Sequence, residues 1–483
     1  MLGSRKIVML ALLGLLALGL RVWVVVAISG EHAGPLTFEH GHIADNLLQD
    51  QGFAIEYLGT EGPTSQQAPF YPMLLAAAYC CLGSGSPAAI LAVQLLQCVI
   101  GAALVLVVVW LGWSLAPGHR SIGWVAGIGA ALYPTHLYMV SHLQVATWAA
   151  FLLTLLIAVV VSPRWKATRG GAIIAGTISG CLLLVEPILS IALPICATAF
   201  WMAEGTGTWK SLFARGPIYR LALMAGIAAA IITPWTIRNY LAHGQFVFIK
   251  STFGYALWQG NNPISWGTDK IPKESVETIR NLHNGTLAGI NRAMWDARHE
   301  TLYIDDVLLS KADYEKMAKL TEPDRSKLLG RRAINFIVAE PWKYARLCLQ
   351  RLRYFLLFDE TNPKAANRLY RITTAGWLVL IFLGLILSRG HAKMLWPTYA
   401  IFAAVMVFHT LVIVSARFRI PLEPMSFVWA SWAITPVVVR LFGRKPIQIH
   451  RPGDFPRDPF SSDHSLQGPH FRIPTPTRQR RAG

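Results

Sequence analysis

Residues 88–113 read AAILAVQLLQCVIGAALVLVVVWLGW, with no Lys, Arg, Asp or Glu anywhere in the run. Only a helix satisfies its own backbone hydrogen bonds inside hydrocarbon, and about 20 apolar residues suffice to cross a bilayer core. The run therefore predicts a membrane-spanning helix. Comparable runs recur at 1–29, 121–140, 143–161, 171–187, 188–204, 217–237, 372–388, 394–414 and 420–440, with a shorter one at 70–83. The composition agrees, since 53% of the chain is hydrophobic and 14% charged, whereas soluble proteins carry about 25% charged residues. The fold expected is an all-α integral membrane bundle of about 10–11 spans.

The chain carries a net charge of +18, but its basic residues are scattered through short loops and the C-terminal tail rather than gathered in one patch. That placement fits the positive-inside rule and gives no sign of nucleic acid as a partner. The first loop bears Glu31, Glu39, Asp45, Asp50, Glu56 and Glu61 and no Lys or Arg, whereas the loops around Arg164, Lys166 and Arg169 and around Lys210, Arg215 and Arg220 are basic. The acidic loop is expected outside and the basic ones inside. Parity then requires that 70–83, opened by Phe70-Tyr71-Pro72, be a re-entrant or interfacial helix.

The resulting division is a first transmembrane helix at 1–29, an outer loop at 30–69 with a candidate catalytic acid, a transmembrane bundle at 70–237, an outer cap at 238–370 with amphipathic helices such as Arg331 to Phe355, C-terminal spans at 371–442, and a disordered basic cytoplasmic tail at 443–483. Five of the six cysteines fall in apolar runs and Cys348 on an amphipathic helix, so neither a disulfide framework nor a zinc spacing is expected.

Three blocks carry a more specific signal. The first runs from Phe38-Glu39-His40-Gly41-His42-Ile43-Ala44-Asp45 through Gly52-Phe53 to Ala68-Pro69-Phe70-Tyr71-Pro72. The second is Pro234-Trp235-Thr236-Ile237-Arg238-Asn239-Tyr240 followed by Gly260-Asn261-Asn262-Pro263, and the third is Ala416-Arg417-Phe418-Arg419-Ile420-Pro421. Together they resemble bacterial membrane glycosyltransferases of the GT-C superfamily, related to family 39 protein mannosyltransferases and to the lipid A aminoarabinose transferase. Many such proteins have an Asp where this chain has Leu36, and an acidic residue near the start of the helix after Tyr133 to His142, where this chain has none.

The resemblance implies a sugar donor on polyprenyl phosphate, an unknown acceptor, and a site facing outward from a bacterial inner membrane, amid membrane lipids. Transfer to a hydroxyl needs a base for the acceptor proton and cations for the leaving phosphate. Glu39 is the expected base, with Asp45 as its substitute; His40 and His42 could assist or bind metal. Arg238, Arg417, Arg419 and Lys250 are the expected phosphate-binding cations, since a forked guanidinium suits a phosphate; Arg346, Arg351 and Arg353 are second choices, explained equally by an interfacial helix. Asn261 and Asn262 could bind sugar hydroxyls, and Trp258 and Trp266 could stack on the ring, although Gly-Asn-Asn-Pro is also good turn chemistry. No cofactor is certain; a divalent metal is an alternative, with no metal ligand assigned. The rival classes are a non-enzymatic lipid or glycan carrier and a catalytically inactive relative, the latter suggested by Leu36.

Overall fold

The computed structural model describes residues 4–28, 37–202 and 215–441. Glu31, Leu36, residues 203–214 of one basic loop and the tail at 443–483 lie outside the described residues. The chain begins with α1 (Ser4–Ile28), α2 (Phe38–Leu48), a hairpin of β1 (Ala54–Glu56) and β2 (Glu61–Pro63), and α3 (Phe70–Leu82). Next come α4 (Pro87–Leu115), α5 (Arg120–Leu132), α6 (Pro134–Met139), α7 (Ala146–Val161), α8 (Arg169–Val185), α9 (Ala192–Met202) and α10 (Arg215–His243). A cap follows, with α11 (Phe253–Gly260), β3 (Lys270–Ile271), α12 (Glu274–Arg280), α13 (Leu287–His299), β4 (Leu302–Tyr303), α14 (Ile304–Leu308), α15 (Lys311–Met317), α16 (Glu322–Ala339) and α17 (Pro341–Leu356). The chain then rejoins the bundle as α18 (Arg368–Leu387), α19 (Ala392–Leu411) and α20 (Glu423–Leu441).

Among the described residues, six helical stretches are long and apolar enough to cross a membrane: α1, α4, α10, α18, and those ending in α19 and α20. Four shorter apolar stretches, α3, α7, α8 and Pro187–Met202, fill the bundle between them. The protein is thus a predominantly helical integral membrane protein, as its hydropathy predicts. At 13 residues, α3 falls short of the roughly 20 a span needs.

Backbone contact at small residues draws the spans together, since van der Waals packing replaces the hydrophobic drive that is missing between helices in lipid. A Cβ on Gly384 of α18 would lie 2.0 Å from the Trp429 carbonyl oxygen of α20, and one on Gly112 of α4 would lie 2.6 Å from Gly123 Cα of α5. Arg21, which interrupts the first apolar run, points into the bundle: it is 1% exposed and donates to the carbonyl oxygens of Ala17 (3.0 Å) and Ala130 (3.3 Å). Inward pairing of this kind is how a charge is tolerated within a span.

The first loop and the cap bury one hydrophobic core in common. Ile43, Phe53 and Tyr57 from the loop meet Trp258, Ile304, Leu329 and Ala333 from the cap, over Leu183 and Trp235 from the bundle. The amphipathic stretch Arg331 to Phe355 is two helices rather than one, because Pro341 has no N–H to donate and its ring crowds the preceding turn. α10 also continues to His243, so Arg238 lies inside that helix and not at its exit.

Candidate active site

Glu39 sits in the first turn of α2. The chain reaches it through Phe38, whose φ of 52° is left-handed and costs a non-glycine residue about 1–3 kcal/mol. The Phe38 ring is held under the Arg298 guanidinium, 4.7 Å from its centroid. Glu39 is half-buried and has no hydrogen-bond or ion-pair partner among the described residues. Its neighbour His40 is 7% exposed, lies 5.0 Å from the Tyr71 ring and leaves Nδ1 unpartnered. Burial first, then Lys250 and Arg417, push His40 down to about 3. It is a neutral imidazole at physiological pH, able to hydrogen-bond but not to act as a base that titrates near neutrality.

Lys250 faces this helix from the segment after α10, donating to Gln67 Oε1 at 3.1 Å. Burial holds its ammonium below the usual lysine range; Glu186 and Glu39 oppose that shift and Arg417 adds to it. Arg417 lies in a 3-10 turn before α20, exposed, with no side-chain hydrogen bond or ion pair among the described residues and its guanidinium 5.4 Å over the Phe418 ring. Its field reaches His40, Lys250, Asp269 and Lys364, which come from four separate segments of the chain. Lys250 is therefore within electrostatic reach of Glu39 on α2, of Glu186 at the end of α8 and of Arg417 in the turn before α20.

The other expected cations make hydrogen bonds of their own within the protein. Arg419, two residues from Arg417, is 3% exposed and donates to Glu423 Oε1 (2.9 Å) and to the carbonyl oxygens of Phe355 (3.0 Å) and Leu356 (2.7 Å). Glu423 in turn pairs with His136 Nε2 at 3.0 Å. A guanidinium so bonded has no fork left for a phosphate; it fixes the turn that presents Arg417. Arg238 donates to the carbonyl oxygens of Thr64 (2.6 Å) and Phe53 (2.7 Å) and so pins the first loop to α10. Arg351 is 0% exposed and donates to the carbonyl oxygens of Thr410 (2.6 Å) and Gly260 (2.8 Å), joining the cap to the end of α19.

The expected sugar contacts also make hydrogen bonds within the protein. Asn261 is buried, its amide donating to the Leu257 (2.8 Å) and Val412 (3.0 Å) carbonyl oxygens and its oxygen accepting from Arg351 (3.1 Å). Asn262 caps the preceding helix at the Trp258 carbonyl oxygen (2.9 Å) and accepts from the Ile264 N–H (3.1 Å). Trp258 is 4% exposed within the shared core, and with Asn261 and Asn262 it lines a cavity closed by Leu308, Arg332 and Asn335. The substitute acid Asp45 accepts from Ser84 Oγ. It lies six residues, hence about 120° around a helix, from Glu39, on another side of α2.

Four site residues were missed in the sequence reading. Arg298 on α13 is half-buried, and its side chain has no hydrogen bond or ion pair among the described residues. Lys270 is buried and paired with Asp269. Lys364, from the loop before α18, is hydrogen-bonded to His142. These three come from cap segments whose proximity no local pattern encodes. The fourth, Glu186, stands at the break between α8 and a 3-10 turn and is the first-named charge acting on Lys250. It did leave a signal, as the one acidic residue between Glu61 and Glu204.

A second polar cluster holds Ser, His and Glu but lacks the geometry of a nucleophilic triad. Ser65 Oγ (2.8 Å) and Glu322 Oε1 (3.9 Å) both approach the same His243 nitrogen, Nε2, whereas an orienting carboxylate belongs on Nδ1. Among the described residues no group of three or more His, Cys, Asp or Glu could hold a metal ion, and all six cysteines are free thiols.

No protein-family model matches the chain, and no curated protein is similar to it in sequence. The fold is similar to solved structures of the oligosaccharyltransferase of Archaeoglobus fulgidus. One, the archaeal oligosaccharyltransferase AglB in complex with an inhibitory peptide and a dolichol-phosphate, superposes with a TM-score of 0.53 at 15% identity over 91% of this chain. Another, tethered with an acceptor peptide, gives 0.52 at 14% identity over 91%. The chain spans about half the length of that protein, 51% and 50% in the two cases. ArnT from Cupriavidus metallidurans bound to undecaprenyl phosphate matches over 91% of this chain and 79% of its own at 14% identity, but its TM-score of 0.39 carries no argument. At these identities the likeness shows the fold alone, a helical membrane fold similar to that of the archaeal oligosaccharyltransferase.

Proposed function

We propose that the protein is a glycosyltransferase that moves a sugar from a polyprenyl-phosphate donor to a hydroxyl of a lipid, glycan or protein acceptor, at the outer face of a bacterial inner membrane. The observation that carries this reading is an unpaired carboxylate, Glu39, set on a strained turn beside Lys250 and the unpaired Arg417. The fold held in common with an oligosaccharyltransferase supports it.

In this mechanism the lipid-linked donor enters from the bilayer and its phosphate lies against Arg417, with Lys250 alongside. The acceptor oxygen attacks the anomeric carbon as the bond from that carbon to the phosphate oxygen breaks, inverting the centre. Glu39 takes the acceptor proton, and the leaving polyprenyl phosphate keeps the electron pair. Its second negative charge develops next to fixed cations, where stabilisation is greatest. Arg419, Arg238 and Asn261 hold this constellation in place without touching the reacting atoms.

The test is sugar transfer from a panel of radiolabelled polyprenyl-phosphate sugars into membrane lipid, glycan and protein, with purified wild type and Glu39→Gln. Transfer by the wild type and its loss in the folded variant support the reading. Donor binding without transfer, equal in both proteins, points instead to a carrier.

A further inference from the structure

α2 begins without the anchors a helix start ordinarily has. Its N-cap residue, Thr37, makes no side-chain capping bond to the helix, and the next residue, Phe38, has a left-handed φ of 52°. In a bulky residue such a conformation persists only where the surroundings over-determine it. Glu39 follows at once, and its side chain has no partner among the described residues to fix it. The carboxylate is therefore placed by the turn, and the turn by the Phe38 ring.

The cap holds that ring. The Arg298 guanidinium lies 4.7 Å from its centroid, and the Trp295 ring lies 6.4 Å away, tilted by 37°. Asn291, Trp295 and Arg298 stand at i, i+4 and i+7 of α13 and so share one face of that helix. The same face is tied to the bundle: the Asn291 amide oxygen accepts from Tyr138 Oη at 2.6 Å, and Trp295 stacks on His142 at 5.3 Å. Asn291 is 1% exposed and Trp295 4%. α12 and α13 together form an excursion of the cap, closed at its base by the pairing of Lys270 with Tyr303 and of Ile271 with Leu302. A helix tied so briefly at its base is located by what its inner face touches.

We infer that Trp295 and Arg298 are positioning residues, which clamp the Phe38 ring and thereby hold the Glu39 carboxylate where it takes the acceptor proton. The inference rests on the proposed function for one point, that Glu39 is the base. Both residues act through Phe38 rather than on the substrate. The first loop supplies the base and the cap supplies its placement, so proton transfer requires the two to be docked together. A base displaced by about 1 Å costs up to about 100-fold in rate and leaves donor binding intact.

The experiment compares Trp295→Leu, Trp295→Phe and Phe38→Gly with wild type, in sugar transfer and in amide hydrogen exchange. Glycine adopts a left-handed φ without strain. Phe38→Gly therefore keeps the turn accessible while removing the ring, and it is the test if Trp295→Leu does not fold. Trp295→Leu and Phe38→Gly should each lower kcat about 10- to 100-fold with KM for the donor little changed, and Trp295→Phe should restore most of that loss. Added to Glu39→Gln, neither should lower transfer further, because residues that act through one group are not additive. Exchange in the first turn of α2, where the Gly41 N–H donates to the Thr37 carbonyl oxygen at 3.2 Å, should quicken in both variants while α4 is unaffected.

A loss that adds in full to that of Glu39→Gln, or one confined to KM, gives these residues a merely structural part and overturns the inference. Unchanged exchange in α2 overturns it too, whatever the activity. Transfer lost in Glu39→Gln but kept in the Phe38 and Trp295 variants sinks the clamp alone. No transfer by the wild type with any donor, beside α2 exchange that still depends on Trp295, sinks the glycosyltransferase reading and leaves the clamp standing.

Discussion

Two polar clusters sit at the cap side of the bundle and are built on opposite principles. Around Glu322 every charge is committed: its carboxylate accepts from Thr64 Oγ1 (2.6 Å), the Ser65 N–H (2.7 Å) and Ser251 Oγ (2.6 Å), while Ser65 Oγ meets Asn239 and His243. Around Arg417 the charges are left open: the side chains of Glu39, Glu186, Arg298 and Arg417 have no hydrogen bond or ion pair among the described residues. A closed network secures the first loop to α10 and α16 and contributes rigidity. An open one holds unspent electrostatic potential, which is useful only if something else supplies the missing charge. Similar residue types thus serve stability in one place and binding in the other.

The sharpest way to break this contrast is Glu39→Gln, which should lower sugar transfer by about 10²- to 10⁴-fold, the usual worth of a general base, with thermal unfolding unchanged. A large loss of stability instead would place Glu39 with the closed network. Conversely, Glu322→Ala should cost about 3 kcal/mol or more, because three buried donors lose a charged acceptor; denaturant unfolding of the cap measures it. A well-folded variant with altered donor affinity alone would show that this network is not the structural one.

Arg417→Met should weaken donor binding by about 10- to 100-fold, the worth of one charge-assisted phosphate contact, and leave the melting temperature in place. Arg419→Met should do the reverse and destabilise first, since it strips Glu423 of its cation. The smallest effect expected is at the cap surface. The hydrogen bond from Arg332 is the main cause holding Asp313 down to about 2. Because its folded pKa is depressed, the stability it contributes is complete above about pH 4 and fades as pH falls towards 2. The difference in melting temperature between wild type and Asp313→Asn should shrink across that window.

Arg417 and Arg419 show where the sequence stopped being readable. They are two residues apart in one motif, and a 3-10 turn rotates successive side chains by about 120°. One is therefore exposed and the other buried, an alternation the resemblance could not distinguish. Asn261 and Asn262 stand in a turn whose packing the motif does not reveal: a Cβ on Gly260 would lie 2.0 Å from the Val412 carbonyl oxygen, so the turn joins cap and bundle. Glu186 was legible, since a solitary carboxylate in a long apolar region is costly enough to imply a partner.

By itself the sequence determined the class of molecule, the main apolar segments and the position of Glu39. Apolar run length and the cost of unpaired backbone in lipid are local properties that act along the chain. Only the tertiary structure decided which charges are spent and which remain available. That depends on contacts such as Lys364 with His142 and Arg238 with Thr64, across 222 and 174 residues, and a charge becomes structural or functional only once its neighbours in space are fixed.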